Sequence, residues 1–547
     1  MTSFDFRHGQ RGFPHMSRHH FLRIGGRVTI PAALLCAGVL GISTAASAAI
    51  TAGTPVPAPD HPFAGTSTAC DNLISQQTAL GSVNYPDAEV EPYVVADPAD
   101  PQHLVATFQQ DRWNDGGDNG NITVVSDNGG KSWALAKTQP AFTVCAGATA
   151  GSSSFFNRAS DPWVSYSSDG KTVYQASLAF NANGPAFGGA SSVQVSTSPD
   201  GGVTWNAPIA VRSDPSFTVL NDKESVTADP LNPLAAYVVW DRLVSPSVNA
   251  NPTAFSVTPA FRGPAWFSAT TDGGKTWSTA RAIYDPGEKN QTIDNQVVVE
   301  PAGTAKGTLV DGFVQILTKG GKGNNPRAVS NVAVIRSADG GATWSKPVIV
   351  SQLISAPVTI GGQAVRTGDG IPAFTADPAT GDLYAVWQDG RFSLDGQAKI
   401  ALSRSTDGGL HWSAPVRIDQ SPGDVPAFTP QVTINADGTI GVNYYDLQNA
   451  TTAEPGLTDA YLVTCPAATS DCSNPASWAA GGQTLLSTTG SGKLCLLGSS
   501  AYRTEIGSCE MGVEHVLLLH GRLGGIRKAA SGANRPEPVP TELKQSL

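Results

Sequence analysis

Methionine and charged residues are scarce in this 547-residue chain: it has 3 Met, and Asp, Glu, Lys and Arg make up 15%. No long amphipathic helical pattern stands out. The net charge of −10, with a pI near 5.4, argues against binding of nucleic-acid phosphates as the main role. Glycine (58) and proline (39) are plentiful instead, which is typical of a turn-rich all-β protein.

The N-terminal region has no apolar run long enough to span a membrane. The apolar run Val28–Ile42 is too short, and it follows an arginine-bearing leader and precedes the small-residue site Ala46-Ser47-Ala48. We therefore predict a signal peptide over residues 1–48 with cleavage near Ala48. The mature chain is then secreted, with no membrane attachment after cleavage.

Cysteine and histidine spacings typical of zinc sites are absent. Cleavage would leave an even set of cysteines, which in an exported chain favours disulfides over metal binding: Cys70, Cys145, Cys465, Cys472, Cys495 and Cys509. Cys465 and Cys472 could close a small loop. Cys70 with Cys145 could tie an N-terminal arm, residues 49–85, to the body that follows.

An eight-residue motif occurs five times and is the strongest signal in the sequence. The copies end at Trp133, Trp205, Trp277, Trp344 and Trp412, so successive copies are 72, 72, 67 and 68 residues apart by subtraction. The second copy, Ser198-Pro-Asp-Gly-Gly-Val-Thr-Trp205, shows the pattern. A fixed period of this length indicates a repeat architecture.

The motif has the chemistry of a stabilised hairpin turn. Its third position holds a short acceptor side chain that can bind backbone N–H groups of its own turn. These third-position residues are Asn128, Asp200, Asp272, Asp339 and Asp407. The glycine two positions later allows backbone angles that a Cβ would penalise, and the tryptophan buries a large ring. We interpret all five as structural residues.

A second pattern recurs upstream of each motif and fixes the number of units. Glu91–Pro98 resembles Lys223–Pro230 and Ile371–Pro378, and weaker copies begin near Asp161, Asn295 and Phe428. The sixth unit has Trp478 at the expected place, but a loop carrying Cys465 and Cys472 replaces the motif. Six units of four strands predict an all-β fold, a six-bladed β-propeller of four-stranded antiparallel blades over residues 86–490.

Strand direction predicts where a site can form. The start of the first strand and the loop between the second and third strands share one end of each blade, the front, while the motif turns lie at the back. The front loops contribute Asp111, Arg112, Asp115, Asp118, Asp241, Arg242, Asp389, Arg391, Tyr444, Tyr445 and Asp446. The first-strand starts contribute Glu91, Arg158, Asp161, Asp222, Glu224, Asp294, Arg366, Asp369 and Asp424.

These front residues allow several interpretations. Converging carboxylates, arginines and tyrosines suit an anionic sugar and acid/base chemistry. The repeated Asp–Arg pairs could equally form local salt bridges. The Asp111–Asn121 loop could hold calcium, although it lacks the ordered ligand spacing of a known calcium loop, and we expect no other cofactor.

The eight-residue motif resembles the Asp-box, and residues 85–480 resemble the bacterial sialidase (neuraminidase) superfamily. The resemblance implies a tyrosine nucleophile at Tyr445 or Tyr444, a partner at Glu224 and an acid at Asp115 or Asp111. It also implies arginines that clamp the sugar carboxylate, and the candidates are Arg112, Arg158, Arg242, Arg366 and Arg391.

Three functions remain open at this point. The first is a secreted sialidase-like glycoside hydrolase acting on terminal sialic or related acidic sugars of glycans. The second is a non-catalytic propeller that binds glycan or protein, and the third is an Asp-box enzyme of other specificity. The expected partner is a glycan or glycoconjugate, or a protein if the chain is a binding propeller, and we expect a monomer. Residues 491–547 lack the repeat pattern and are predicted to be a divergent, disordered tail.

Overall fold

Six antiparallel sheets follow one another along the chain in the computed structural model. The structure describes residues 59, 61–182, 187–250, 261–319, 327–365, 367–368, 370–487 and 492–493. The predicted signal peptide, Arg366, residue 491 and residues 494–547 of the predicted tail lie outside the described residues. Among the residues that are described, no helix is long and apolar enough to cross a bilayer.

Each of the six sheets, here called blades 1 to 6, consists of strands that are consecutive in sequence. Blade 1 contains β1 (Glu89–Ala96), β2 (Leu104–Gln110), β3 (Gly120–Ser126) and β4 (Ala134–Leu135), and blade 2 contains β5 (Arg158–Tyr166), β6 (Val173–Phe180), β7 (Ser191–Ser198) and β8 (Ile209–Asp214). Blade 3 contains β9 (Val219–Ala228), β10 (Ala236–Val244), β11 (Ala265–Thr270) and β12 (Arg281–Tyr284), and blade 4 contains β13 (Gln291–Val299), β14 (Leu309–Lys319), β15 (Arg327–Ser337) and β16 (Val348–Gln352).

The chain then forms a short hairpin, β17 (Thr359–Ile360) and β18 (Gln363–Ala364), before the last two blades. Blade 5 contains β19 (Ala373–Ala376), β20 (Leu383–Asp389), β21 (Lys399–Ser405) and β22 (Val416–Arg417). Blade 6 contains β23 (Ala427–Ile434), β24 (Thr439–Asp446), β25 (Leu457–Pro466) and β26 (Gln483–Leu485), and β27 (Gly492–Lys493) also pairs with β25.

The blades are arranged as a β-propeller, which confirms the predicted fold class. From blade 1 to blade 6, the first strand of each blade adjoins the first strand of the next, so these inner strands surround a central channel. Along β5 the inner residues alternate: Asp161, Trp163 and Ser165 are half-exposed, while Val164 and Tyr166 are buried. Apolar side chains fill the spaces between blades, as in the cluster that joins Tyr174 of blade 2 to Trp240 of blade 3.

The five motif copies lie between the third and fourth strands, where the sequence places them. In the second copy, the Asp200 carboxylate accepts hydrogen bonds from the backbone N–H and hydroxyl of Thr204, at 2.8 and 2.7 Å. Gly202 has a φ of 86°, and the Trp205 indole donates to its carbonyl at 3.0 Å. In the first copy, Asn128 accepts from the backbone N–H of Ser132 at 3.0 Å.

In blade 6 a disulfide and a short helix occupy the place of the motif turn. Cys465 and Cys472 are bonded, as the sequence suggests. Helix α2 (Pro475–Gly481) follows, and its Trp478 is fully buried with its indole donating to the Cys472 carbonyl at 2.9 Å. In blade 6 a disulfide therefore replaces the hydrogen-bonded turn of the other five blades.

The N-terminal arm contains a helix that the sequence pattern does not reveal, α1 (Thr68–Ala79). The Ser67 hydroxyl accepts from the backbone N–H of Cys70 at 3.1 Å, which caps the first turn. Cys70 is bonded to Cys145, so the predicted tie between arm and body is confirmed. Phe63 and Cys70 are part of the apolar cluster of blade 1, and the arm thus completes that core.

Candidate functional site

The front end of the channel carries strained backbone at equivalent points of five inner strands. Each strand has a non-glycine residue at positive φ, between 50° and 63°: Glu91, Asp161, Lys223, Asp294 and Thr429. The pairing of the first and second strands shifts register beside each of them. Such bulges re-aim side chains, and strain of this kind persists mainly where function needs it. Four of the five side chains are charged, so the bulges define a candidate site.

An ion pair joins blades 2 and 3 at this level. The Lys223 ammonium lies 2.9 Å from the Asp161 carboxylate. Burial alone would raise the pKa of Asp161, but the Lys223 charge and hydrogen bonds with Glu91 and Ser160 overcome it and hold that pKa well below its usual range. Glu91 in turn accepts a hydrogen bond from the Gln109 amide. Asp161 is therefore ionised throughout the neutral range.

The pKa of Glu224, the residue after Lys223, is shifted in the opposite direction. Its side chain is 2% exposed, and neither carboxyl oxygen has a hydrogen-bond partner among the described residues. Burial, and then the nearby charge of Asp161, raise the pKa of Glu224 well above its usual range. Two carboxyl groups whose pKa values are shifted in opposite directions, Asp161 of blade 2 and Glu224 of blade 3, therefore interact electrostatically at the junction of these blades.

Further buried carboxyl groups surround this pair. Burial raises the pKa of Asp294 to about 7, and the charge of Asp161 adds to the effect, while Lys223 opposes it. Burial also raises the pKa of Asp118 well above its usual range, and neither of its carboxyl oxygens has a partner in the described part of the chain. Asp241 accepts from the backbone N–H of Asp294 at 3.0 Å.

An aromatic pair lies directly behind these charges. Tyr93 and Trp163 each follow a bulge residue by two positions, and their rings stack with centroids 4.0 Å apart and planes inclined by 27°. Both residues are half-buried, and burial raises the pKa of the Tyr93 phenol. The aromatic pair therefore packs blade 1 against blade 2 next to the bulge residues.

The two candidate tyrosines lie on β24 of blade 6, whereas Glu224 lies on β9 of blade 3. Tyr444 is fully buried in the apolar cluster between blades 5 and 6, and its hydroxyl accepts from the backbone N–H of Gln420 at 3.0 Å. Tyr445 stacks on Phe428 and packs beside the β17–β18 hairpin. Burial raises the pKa of both phenols.

The acid candidates of blade 1 hold the N-terminal arm. Asp111 is buried and accepts from the backbone N–H groups of Phe63 and Asp87, at 2.7 and 2.9 Å. Asp115 accepts from the Ser82 hydroxyl at 2.6 Å and lies 2.8 Å from Arg158. Burial opposes it, but hydrogen bonding to Arg158 lowers the pKa of Asp115, so this carboxylate is an ion-pair partner and not a proton donor.

Each candidate arginine in the described part of the chain is engaged by another side chain of the protein, and burial together with the nearby charge of Arg112 lowers the pKa of Arg158. Arg158 pairs with Asp115 and lies over the Trp113 ring, 4.3 Å from its centroid. Arg242 binds Asp214 at 2.8 Å, and Arg212 binds the same carboxylate.

The remaining pairs are local. Arg391 binds Asp389 at 2.8 Å, as a salt bridge within one loop. Arg112 is buried and donates to the Gln109 side chain. Each described candidate arginine therefore has a partner in its own blade or in the neighbouring blade.

Lys223 is a charged residue of this candidate site that sequence reasoning missed. It is the first residue of one copy of the second repeat, at the position of Glu91 and near that of Asp161. Several units carry a charged residue at this repeated position, and that recurrence could have identified Lys223 from the sequence. As for metals, within the described ranges no group of three or more His, Cys, Asp or Glu side chains is arranged to hold an ion.

Comparison with known proteins gives similarity in fold only. No family model matches the chain. No curated protein matches it either. Among solved structures, Hadza microbial sialidase Hz136 is 18% identical with a TM-score of 0.40, over 65% of this chain and 63% of its own length. Penicillium chrysogenum α-L-arabinanase is 12% identical with a TM-score of 0.44, over 72% of this chain and 94% of its own. The Fusarium graminearum α-L-arabinofuranosidase Arb93A is 12% identical with a TM-score of 0.43, over 77% and 99%.

Proposed function

We propose that this chain is a secreted, glycan-acting glycoside hydrolase whose reaction takes place at the front end of the channel. One observation carries the proposal: the buried carboxyl group of Glu224, which has no hydrogen-bond partner in the described part of the chain, directly follows Lys223, and Lys223 pairs with Asp161 where the backbone of both residues is strained. Carboxyl groups whose surroundings push their pKa values apart are the usual acid and base of glycoside hydrolysis. The two disulfides support an oxidising, extracytoplasmic location.

In this proposal each charged residue has one role. Glu224 is the general acid: its side chain must turn out of its buried position to reach the glycosidic oxygen, to which it donates its proton as the bond to the sugar breaks. Asp161 acts on the other side of the reacting carbon, either by attacking it or by taking a proton from the water that does. Lys223 keeps Asp161 ionised, so that the two carboxyl groups do not exchange roles.

The sialic-acid form of the proposal has less support from the site. It needs arginines that converge on a sugar carboxylate, whereas Arg158, Arg242 and Arg391 each pair with an aspartate. It also needs a tyrosine beside Glu224, whereas the two tyrosine candidates belong to blade 6. We therefore assign the chemistry to carboxyl groups. A propeller that binds glycan without turnover is the alternative that the experiment must separate.

The test is turnover by the purified chain on a panel of chromogenic and fluorogenic glycosides, including an α-L-arabinofuranoside, a β-D-galactoside and an α-sialoside. We expect hydrolysis of at least one neutral glycoside. Glu224→Gln and Asp161→Asn should each lower kcat by about 10²-fold or more, since each removes a proton donor or acceptor.

Two matched variants should leave kcat unchanged. Glu300→Gln alters another buried carboxyl group with a raised pKa, at the back end of blade 4. Tyr445→Phe removes only the phenol hydroxyl. Hydrolysis of the sialoside that is lost in Tyr445→Phe would establish the sialidase mechanism instead. A folded protein that turns over none of the glycosides would favour the binding alternative.

A further inference from the structure

We propose that His103 is a pH-dependent clamp between blades 1 and 2, closed while its imidazole carries both ring protons and opened by the loss of one of them. The clamp lies at the back end of the blades, where the motif turns are, and not at the bulges of the candidate site. It goes beyond the proposed function and does not depend on it.

His103 ends the turn between β1 and β2 and contacts the turns of two successive motif copies. Its Nδ1 atom lies 2.6 Å from the carboxylate of Asp127, in the first copy. Its Nε2 atom lies 2.7 Å from the carbonyl oxygen of Gly201, in the second copy. A carboxylate and a carbonyl oxygen only accept hydrogen bonds, so both ring nitrogens have to donate. The two contacts together therefore require the imidazolium form of His103.

The contact with Gly201 is close, and its chemistry belongs to this joint. Gly201 has a φ of 72°, and a Cβ added to it would meet the Nε2 atom of His103 at 2.6 Å, so the imidazole fills space that only glycine leaves. At the corresponding glycine of the third copy, Gly273, the nearest group is the apolar side chain of Leu234. The third motif turn thus offers a comparison that does not titrate.

The charges around His103 favour the imidazolium. Burial alone would lower the pKa of His103, but its hydrogen bonds to Gly201 and Asp127, and the negative charges of Asp127 and Asp97, raise that pKa above its ordinary value. The other titratable groups on the surrounding elements are Asp100 in the same turn, Asp200 beside Gly201, Tyr166 on β5, whose pKa burial raises, and the Asp169–Lys171 pair of the β5–β6 turn. The balance of charge near the imidazole is therefore negative.

Loss of one proton breaks the contact between the blades and spares the contact within blade 1. The remaining proton stays on Nδ1, because a hydrogen bond to the Asp127 carboxylate is charge-assisted. The Nε2 lone pair then faces the Gly201 carbonyl oxygen, and the two repel. Because the folded-state pKa is raised, the clamp is fully closed below about pH 6.5, the ordinary histidine value, and is lost as the pH rises through the folded-state pKa.

Two hydrogen bonds that do not titrate cross the same joint and can report its opening. The backbone N–H of Lys137, in blade 1, donates to the Val203 carbonyl of the second motif turn at 2.8 Å. The backbone N–H of Trp205 in that turn donates to the Thr138 hydroxyl of blade 1, also at 2.8 Å. When the clamp opens, both amides should exchange with solvent more readily.

The test is amide hydrogen exchange of the purified chain at pH 5.5 and pH 8.5, corrected for the intrinsic exchange rate at each pH. We expect the protection of the Lys137 and Trp205 amides to fall on the order of tenfold at the higher pH, as the hydrogen bond of a charged donor is lost. The Thr276 amide, bound to Asp272 within the third motif turn at 3.0 Å, should keep its protection. His103→Gln retains an amide donor for Gly201 but has no proton to lose, so its joint should be equally protected at both pH values.

A direct titration of the ring completes the test. Nitrogen-15 NMR of the histidine side chains should show both His103 nitrogens protonated at pH 5.5 and a titration midpoint above 6.5. Asp127→Asn should lower that midpoint by about 1 pH unit, because it removes the adjacent negative charge. His411→Gln is the matched control: His411 binds Asp407 at 2.6 Å within a single motif turn, so this variant should behave as the unaltered chain does.

Three results would each overturn the inference: a His103 midpoint below 6.5, protection of the joint that is the same at both pH values in the unaltered chain, or a pH-dependent loss of protection that persists in His103→Gln. A loss that disappears in His103→Gln and remains in His411→Gln would support it. Neither outcome bears on whether the chain hydrolyses a glycoside.

Discussion

Asp294 shows how a single buried carboxyl group ties stability to pH. Burial raises its folded-state pKa to about 7, whereas an unfolded aspartate has a pKa of about 3.9. Between these values the folded chain holds a proton that the unfolded chain releases. The contribution of Asp294 to stability is thus complete below about pH 4 and is lost as the pH rises towards 7.

The variant Asp294→Asn should remove this dependence. Asparagine keeps the size of the side chain, tolerates the φ of 63° and can still accept from the Gln296 amide. From about pH 4 to 7, the free energy of unfolding of the variant should gain about 1.4 kcal/mol per pH unit relative to the unaltered chain. Urea unfolding at several pH values measures this difference, and a difference that does not vary with pH would contradict the assignment.

The sequence predicts residue types at the front of the blades better than it predicts their partners. Strand direction is enough to place four carboxyl groups at the front: Glu91, Asp161, Glu224 and Asp294. The partner of Arg242 could not be predicted in this way, because Asp214 lies on a different strand, 28 residues away. Lys223 was missed because its contact with Asp161 depends on a left-handed bulge and on the neighbouring blade.

At the scale of elements, the two disulfides close loops of very different length. Cys70 and Cys145 are 75 residues apart, whereas Cys465 and Cys472 are 7 apart. A crosslink restricts the unfolded chain more when its loop is longer. The bond between arm and blade 1 should therefore contribute more to stability than the bond in blade 6.

Paired Cys→Ala variants test this order. Removing Cys70 and Cys145 should lower the free energy of unfolding by about 4–5 kcal/mol, and removing Cys465 and Cys472 by about 2–3 kcal/mol. Denaturant unfolding of the two double variants provides the comparison. Equal losses would mean that native packing around the sulfurs, and not loop length, determines the contribution.

Elements that close their own hydrogen bonds could be predicted, and those that depend on distant partners could not. The motif turns carry their acceptors within eight residues, so the sequence contains the whole interaction. Helix α1 has no pronounced apolar face, and it is held by a cap at Ser67, a disulfide and the core of blade 1. The β17–β18 hairpin is likewise held by apolar contacts with Phe428 and Tyr445, far along the chain.

At the scale of the molecule, buried hydrogen bonds couple one blade to the next. Gln175 of blade 2 accepts from the Thr123 hydroxyl at 2.7 Å and donates to the Thr107 hydroxyl at 2.8 Å, both in blade 1. All three side chains are fully buried. Ser225 and Thr227 of blade 3 similarly donate to backbone carbonyls of blade 4. The blades should therefore unfold together.

Replacing Gln175 by Leu should lower the free energy of unfolding by about 1–3 kcal/mol, because it leaves the Thr123 hydroxyl unsatisfied, whereas the Thr107 hydroxyl still donates to the Ile122 carbonyl. The m-value should stay the same, because the surface exposed on unfolding does not change. The double variant with Thr123→Val should recover much of the loss, since the unsatisfied hydroxyl is then removed. A second unfolding transition in Gln175→Leu would show that the blades are independent.

The consecutive order of strands within every sheet also bears on how the protein is made. A blade needs no later segment of the nascent chain to complete its four strands, and successive motif tryptophans are 67 to 72 residues apart. At translation rates of about 5–20 residues per second, the segment of a new blade is made roughly every 3 to 14 seconds. Each blade can form without waiting for the rest of the chain, so blades that form in order from the N-terminus can dock one on another.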